Sequence, residues 1–168
     1  FVWKYLFKKD FLDSLGYRFY EGFWFEDNNF SNKMIFSTDK IGYISSKFYY
    51  YRQRMGSFSH KKIDREHLDS YFKLLEDLNK YYNDKMGNKK NEYFSKFFSI
   101  KLNQAISYRS LYKKIDEYSN IDDELKKYLF HFKNSNKIRH KILYYMTLIS
   151  LPLTSKMLNL RIWLKYRD

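Results

Sequence analysis

The sequence predicts an α+β chain that is mostly helical, with a mixed segment over residues 1–60 and a helical extension over 61–168. Three observations carry this reading. Pro152 is the only proline and glycines number only five, so long helices meet few breakers. After His60, apolar residues recur at spacings of three and four. Before it, short runs of β-favouring residues alternate with turn residues. With 168 residues and a hydrophobic fraction of 44%, the chain can bury a sizeable core.

Taken in order, Asp10-Phe11-Leu12 predicts a short helix that ends near Gly16. Tyr17 to Tyr20 reads as a short strand. Asp27 to Phe36 reads as a helix with Phe30, Met34 and Ile35 on one side. Gly42 to Ser45 and Phe48 to Arg52 read as two strands turned at Ser46 and Lys47. Tyr71, Leu75, Leu78 and Tyr82 then mark one face of a helix that should stop at Gly87-Asn88. Phe94, Phe97, Phe98, Leu102 and Ala105 mark the next. Asn120 is an expected N-cap, with Asp122, Asp123 and Glu124 in the first turn. Leu125, Tyr128, Leu129 and Phe132 follow at helical spacing. A last helical region, from about Lys137 to Tyr166, should break near Pro152.

Composition narrows the chemistry. Cysteine is absent, so there is no disulfide framework, thiolate nucleophile or cysteine-ligated zinc. A Gly-rich phosphate loop, a zinc signature and a serine nucleophile elbow are all missing. His60, His67, His131 and His140 are scattered, with no pair at i, i+4. The formal net charge of +13 favours anionic partners, although coding from AT-rich DNA also enriches Lys, Asn, Tyr, Phe and Ile. The apolar run Ile142 to Leu153 falls short of the roughly 20 residues that span a bilayer. Phe1 opens on what reads as structured sequence, so the chain is expected to be a piece of a longer protein.

One stretch concentrates reactive groups. Glu21-Gly22-Phe23-Trp24-Phe25-Glu26-Asp27 sets two adjacent carboxylates at the start of a helix with an apolar face. A helix N-terminus tolerates anions, and a carboxylate at the end of an element can project into a cleft as a general base. From the residues alone, an acidic helix start and a base are both open.

The order Val2-Trp3-Lys4-Tyr5-Leu6-Phe7-Lys8, Phe11-Leu12, Arg18-Phe19, Glu21-Gly22 and Glu26-Asp27 resembles the second half of family 2 glycosyltransferases. Tyr49-Tyr50-Tyr51-Arg52-Gln53-Arg54 and Gly56-Ser57-Phe58-Ser59 extend the likeness, which covers about residues 2–60. The resemblance implies the C-terminal, acceptor-side part of a GT-A α/β domain, without the nucleotide-binding half. It implies a bacterial enzyme of capsule, lipopolysaccharide or exopolysaccharide assembly, acting on a nucleotide-sugar donor and a glycan or lipid-linked acceptor. Asp27 would be the catalytic base, and Glu26 would orient it or shape the acceptor site. Trp3, Glu21 and Trp24 would bind substrate, with core packing the alternative for Trp3. Arg52 and Arg54 would lie near the donor diphosphate, or else form a solvated strand end. His60 falls where some relatives supply a metal-binding histidine. The family's divalent metal, Mn or Mg, sits on an Asp-x-Asp, and this sequence contains none. The fragment alone is therefore expected to be inactive.

The last segment is strongly basic. Lys133, Lys137, Arg139, Lys141, Lys156, Arg161, Lys165 and Arg167 face only Asp168. Ile142, Leu143, Met146, Ile149, Leu158, Leu160, Ile162 and Trp163 alternate among them. This pattern fits a helix lying on an anionic membrane, and equally a helix packed on the body with its basic face in water. The expected location is the cytoplasm, at the inner face of the plasma membrane. A non-catalytic basic module for membrane or nucleic acid is the rival. Against nucleic acid stands the absence of a binding motif and the helical core spacing of the aromatics. A purely structural helical adaptor leaves the ordered motifs of residues 2–60 unexplained.

Overall fold

The computed structural model describes residues 2–52, 62–86 and 92–165. The chain divides into two compact units, Phe1–Lys61 and Lys62–Asp168. The described residues are mostly helical and contain no strand.

In the first unit a 3-10 turn at Val2–Lys4 precedes helices α1 (Lys9–Leu15) and α2 (Glu26–Phe36). α1 ends where expected. Gly16 takes the left-handed conformation at φ +64° and returns its N–H to the Leu12 carbonyl, a cap that suits glycine. α2 packs against the Val2–Lys4 turn. Its Phe30 and Met34 are buried with Phe23. Phe30 stacks on Phe19 at 4.4 Å and meets the edge of Phe7 at 6.1 Å. Those aromatic contacts hold the segment after Gly16 against α2.

The three expected strands, Tyr17–Tyr20, Gly42–Ser45 and Phe48–Arg52, do not form among the described residues. β propensity measures fit to a pleated, half-buried surface, and it is realised only when a ladder partner is present. Tyr17 to Tyr20 spends its aromatics on α2 instead. Tyr43, Phe48 and Tyr50 are largely exposed, with no second strand to cover them.

The second unit contains α3 (Arg65–Met86), α4 (Glu92–Leu111), a 3-10 turn at Ile115–Glu117, α5 (Tyr118–Lys126), α6 (Phe130–Asn134), α7 (Ile138–Ile149) and α8 (Leu151–Lys165). α4 is central and packs on α3, α5, α6 and α8. The periodic residues supply the core: Leu75 and Leu78 from α3, Phe94, Phe98 and Leu102 from α4, and Leu125 and Phe132 beyond are fully buried. Asp64 caps α3 by accepting the His67 N–H at 2.9 Å, which typically stabilises a helix by about 1 kcal/mol. α4 and α8 are also tied directly, as Ser155 Oγ donates to the Ile106 carbonyl at 2.6 Å.

Asn120 does not cap a helix. α5 begins earlier, at Tyr118, and the carboxylate of Asp122 is taken by Arg109 of α4 instead. The break near Pro152 is real and is set by Ser150. Ser150 leaves helical geometry at the end of α7, and its Oγ then accepts the Leu153 N–H at 3.3 Å as the cap of α8. Pro152 falls in the first turn of α8, where a missing N–H costs nothing.

His131 is fully buried between α3 and α4. Its Nε2–H donates to Asn79 Oδ1 at 3.0 Å, which leaves Nδ1 as an acceptor 3.4 Å from Ser95 Oγ. Phe98 stacks on the ring at 3.9 Å. Burial disfavours the imidazolium and pushes the pKa down to about 3 from an ordinary 6.5. His67 and His140 are also pushed down, chiefly by desolvation. The folded pKa lies below the unfolded one, so the unfolded chain takes the proton first. Stability is then full above pH 6.5 and falls as pH drops toward 3, by up to about 1.4 kcal/mol per pH unit for His131. Urea unfolding should show an earlier midpoint at pH 5 than at pH 7.5, and His131→Gln should flatten that slope. Equal midpoints in the unsubstituted protein would contradict this account of the buried ring.

Candidate functional site

The segment Glu21 to Asp27 is a loop with two left-handed residues. Gly22 adopts φ +74°, which glycine does without strain, and Phe25 adopts φ +73°. A bulky residue in this region is uncommon and costs on the order of 1–3 kcal/mol. Phe25 is the residue that turns the chain into α2, and its carbonyl accepts the first helical bond from Asn29 N–H at 2.9 Å. Glu26 and Asp27 follow at once, both half-buried in the first turn. The positive end of the helix dipole there favours negative charge.

Helical geometry separates the two carboxylates. Asp27 shares a face with Phe30, Ser31 and Met34, which are buried, so it stands at the outer end of the packed stripe. Ser31 Oγ donates to the Asp27 carbonyl at 2.6 Å, leaving the carboxylate outside that bond. Glu26 shares the neighbouring face with Asn29, Phe30 and Lys33. This second face borders a cleft of about 250 Å³, lined by those three residues and by Gly16 to Tyr20. Lys33 Nζ lies 5.0 Å from the Tyr20 ring centre and 5.8 Å from that of Tyr17. Arg18 is exposed and donates to the Tyr17 carbonyl at 3.2 Å. The cleft therefore offers aromatic faces and two cations, a combination suited to sugars and anionic groups.

Trp3 is half-buried. It stacks on Tyr51 at 5.6 Å with ring planes 7° apart, and on Tyr49 at 5.8 Å and 24°. Two tyrosines spaced by two residues thus reach the same indole. The packing of α2 on the Val2–Lys4 turn brings the element of Trp3 to the element of Asp27. Trp24 is half-buried, and Glu21 and Arg52 are exposed. Arg54 and His60 lie outside the described residues, as do Gln53 and Gly56 to Ser59.

None of the expected site residues that the structure describes lines the cleft. The residues that do, Asn29 and Lys33 with Tyr17, Arg18 and Tyr20, carry no distinctive spacing. The alternation Tyr17-Arg18-Phe19-Tyr20 is the available signal, but Lys33 joins it only through the fold. Among the described residues no three His, Asp or Glu side chains converge on a possible metal position.

No protein-family model, no curated protein and no solved structure matches this chain.

Proposed function

We propose that this chain is the acceptor-side portion of an inverting family 2 glycosyltransferase, of the GT-A class, with Asp27 as catalytic base. The observation that carries the reading is the strained Phe25, set immediately before Glu26 and Asp27. Strain of this kind is retained where a side chain must be aimed, and cheaper helix starts exist for a simple cap. The ordered motifs of residues 2–60 give the chemistry its class.

In this reading Asp27 accepts the proton of an acceptor hydroxyl as that oxygen attacks the anomeric carbon of the donor sugar. The bond to the nucleoside diphosphate breaks with inversion, and the diphosphate leaves with the bonding pair. Glu26 orients the acceptor or Asp27. Trp3 and Trp24 offer ring faces to the acceptor, while Arg52 and Arg54 neutralise the leaving diphosphate. Glu21 borders the acceptor. In this reading the divalent metal of the family sits on its Asp-x-Asp, a motif this sequence lacks.

The 168-residue chain alone, mixed with nucleotide-sugar donors and glycan acceptors, should release no nucleoside diphosphate above background. Turnover by it would overturn the fragment reading. The decisive test is Asp27→Asn in the longer enzyme that joins this chain to a nucleotide-binding half.

A further inference from the structure

We infer that α7 and α8 form a docking surface for an anionic lipid bilayer, which they lie on and do not cross. The inference concerns the second unit and stands whether or not residues 1–61 carry transferase chemistry.

α7 buries His140, Leu143 and Thr147 and leaves a second apolar stripe uncovered. Ile138, Ile142, Tyr145 and Ile149 fall at i, i+4, i+7 and i+11, and all are exposed, Ile138 at 76% and Ile149 at 85%. α8 repeats the arrangement. Its Leu151, Thr154, Ser155 and Leu158 are buried, while Leu153, Met157 and Leu160, at i, i+4 and i+7, are exposed. The two helices pack on each other and meet at Ser150, so both stripes belong to one helical pair. Large aliphatic side chains rarely stand in water in such regular rows.

Charge selects the occupant. From Leu125 to Arg167 the sequence holds no Asp or Glu. Lys137, Lys141 and Lys156 are exposed on the same two helices or at their start. A bilayer with acidic headgroups meets both demands, because the apolar rows enter the headgroup–acyl boundary while the lysines stay at the phosphate level. A second copy of the chain would set cation against cation with no carboxylate in the segment to pair them. Nucleic acid would satisfy the lysines but not the rows of Ile, Leu and Met, in which Tyr145 alone offers a ring for a base to stack on. No described helix is long and apolar enough to cross a membrane, which fits a surface-lying pair.

The test is flotation of the purified chain with vesicles of phosphatidylcholine and phosphatidylglycerol, roughly three to one, against phosphatidylcholine alone. The chain should float with the acidic vesicles at low salt, less at high salt, and hardly with the neutral ones. Ile142→Ser with Ile149→Ser should reduce the bound fraction roughly tenfold or more while circular dichroism stays unchanged, because both side chains are already exposed. Lys137→Gln with Lys141→Gln should weaken binding to acidic vesicles alone. Failure to float at low salt overturns the proposal, as does unchanged flotation of the serine variant. A dimer in sedimentation that the serine variant dissociates, without flotation, assigns the surface to self-association and overturns it too. An oligonucleotide shift that survives the serine variant, with no flotation, does the same in favour of nucleic acid.

Discussion

Asp27→Asn in the proposed longer glycosyltransferase is expected to lower kcat by roughly 10²- to 10⁴-fold, with donor affinity nearly unchanged. The substitution keeps the size of the side chain and removes its ability to accept a proton. Asp27 is the second residue of α2, not its cap, so the change removes only a modest charge–dipole contribution and α2 should form as before. Ser31 bonds to the backbone carbonyl of residue 27, not to its carboxylate, so that support survives. Glu26→Gln should cost less, because Glu26 stands on the neighbouring face and in the proposed mechanism only assists. Steady-state turnover and donor binding, measured separately, check both variants. Near-normal turnover of Asp27→Asn would remove Asp27 from the chemistry and return Glu26 and Asp27 to an acidic helix start. Phe25→Gly is informative as well, since glycine relieves the left-handed strain. It relieves the strain but also removes a half-buried ring, so stability reports the balance of the two, and kcat should fall if Phe25 aims the carboxylates.

The largest effect on stability is expected from Asp122→Ala, at about 3–5 kcal/mol. Arg109 of α4 is nearly fully buried, and Asp122 of α5 is its counter-ion. The contact is two-pronged: Arg109 Nε donates to Asp122 Oδ1, and Nη2 donates to Oδ2 at 2.9 Å. The Tyr118 ring covers the guanidinium at 4.3 Å. Removing the carboxylate leaves a largely buried cation without its counter-ion, and a guanidinium cannot lose its proton. Arg109→Met should cost less, since Asp122 retains some access to solvent. The double substitution Arg109→Met with Asp122→Leu should recover most of the loss, because an apolar pair can replace a buried ion pair at little net cost. Denaturant melts of the three variants form the cycle. A double variant as unstable as the sum of the singles would mean the pair does not act as a unit.

Much of the helical unit is legible in the order of its residues. The periodicity of Tyr71, Leu75, Leu78 and Tyr82, or of Phe94, Phe98 and Leu102, names its own buried face, since one helix turn brings such residues together whatever surrounds them. The same holds for the end of α1 at Gly16 and the break beside Pro152, where single residues act on the local backbone. The candidate site is legible in part. Glu26 and Asp27 are conspicuous as a helix start, whereas the cleft of Tyr17, Arg18, Tyr20 and Lys33 joins residues from separate elements.

What the sequence determined by itself is local: which segments are helical, which faces of α3 and α4 turn inward, and that the last helices carry positive charge without acids. Only the tertiary structure decided the rest. The β-rich residues 42–52 stay without a ladder because a strand takes its stability from a neighbour that propensity cannot supply. Asp122 leaves its expected role at a helix start because a buried guanidinium lies within reach. α7 and α8 are apolar on more than one side, so their sequences do not say which side is inside. Contact with α4 and α6, and of the two helices with each other, buries Leu143 and Leu158 and leaves Ile142 and Leu160 exposed. A helix with one apolar stripe declares its partner face, but a helix with two has it chosen by whatever packs against it first.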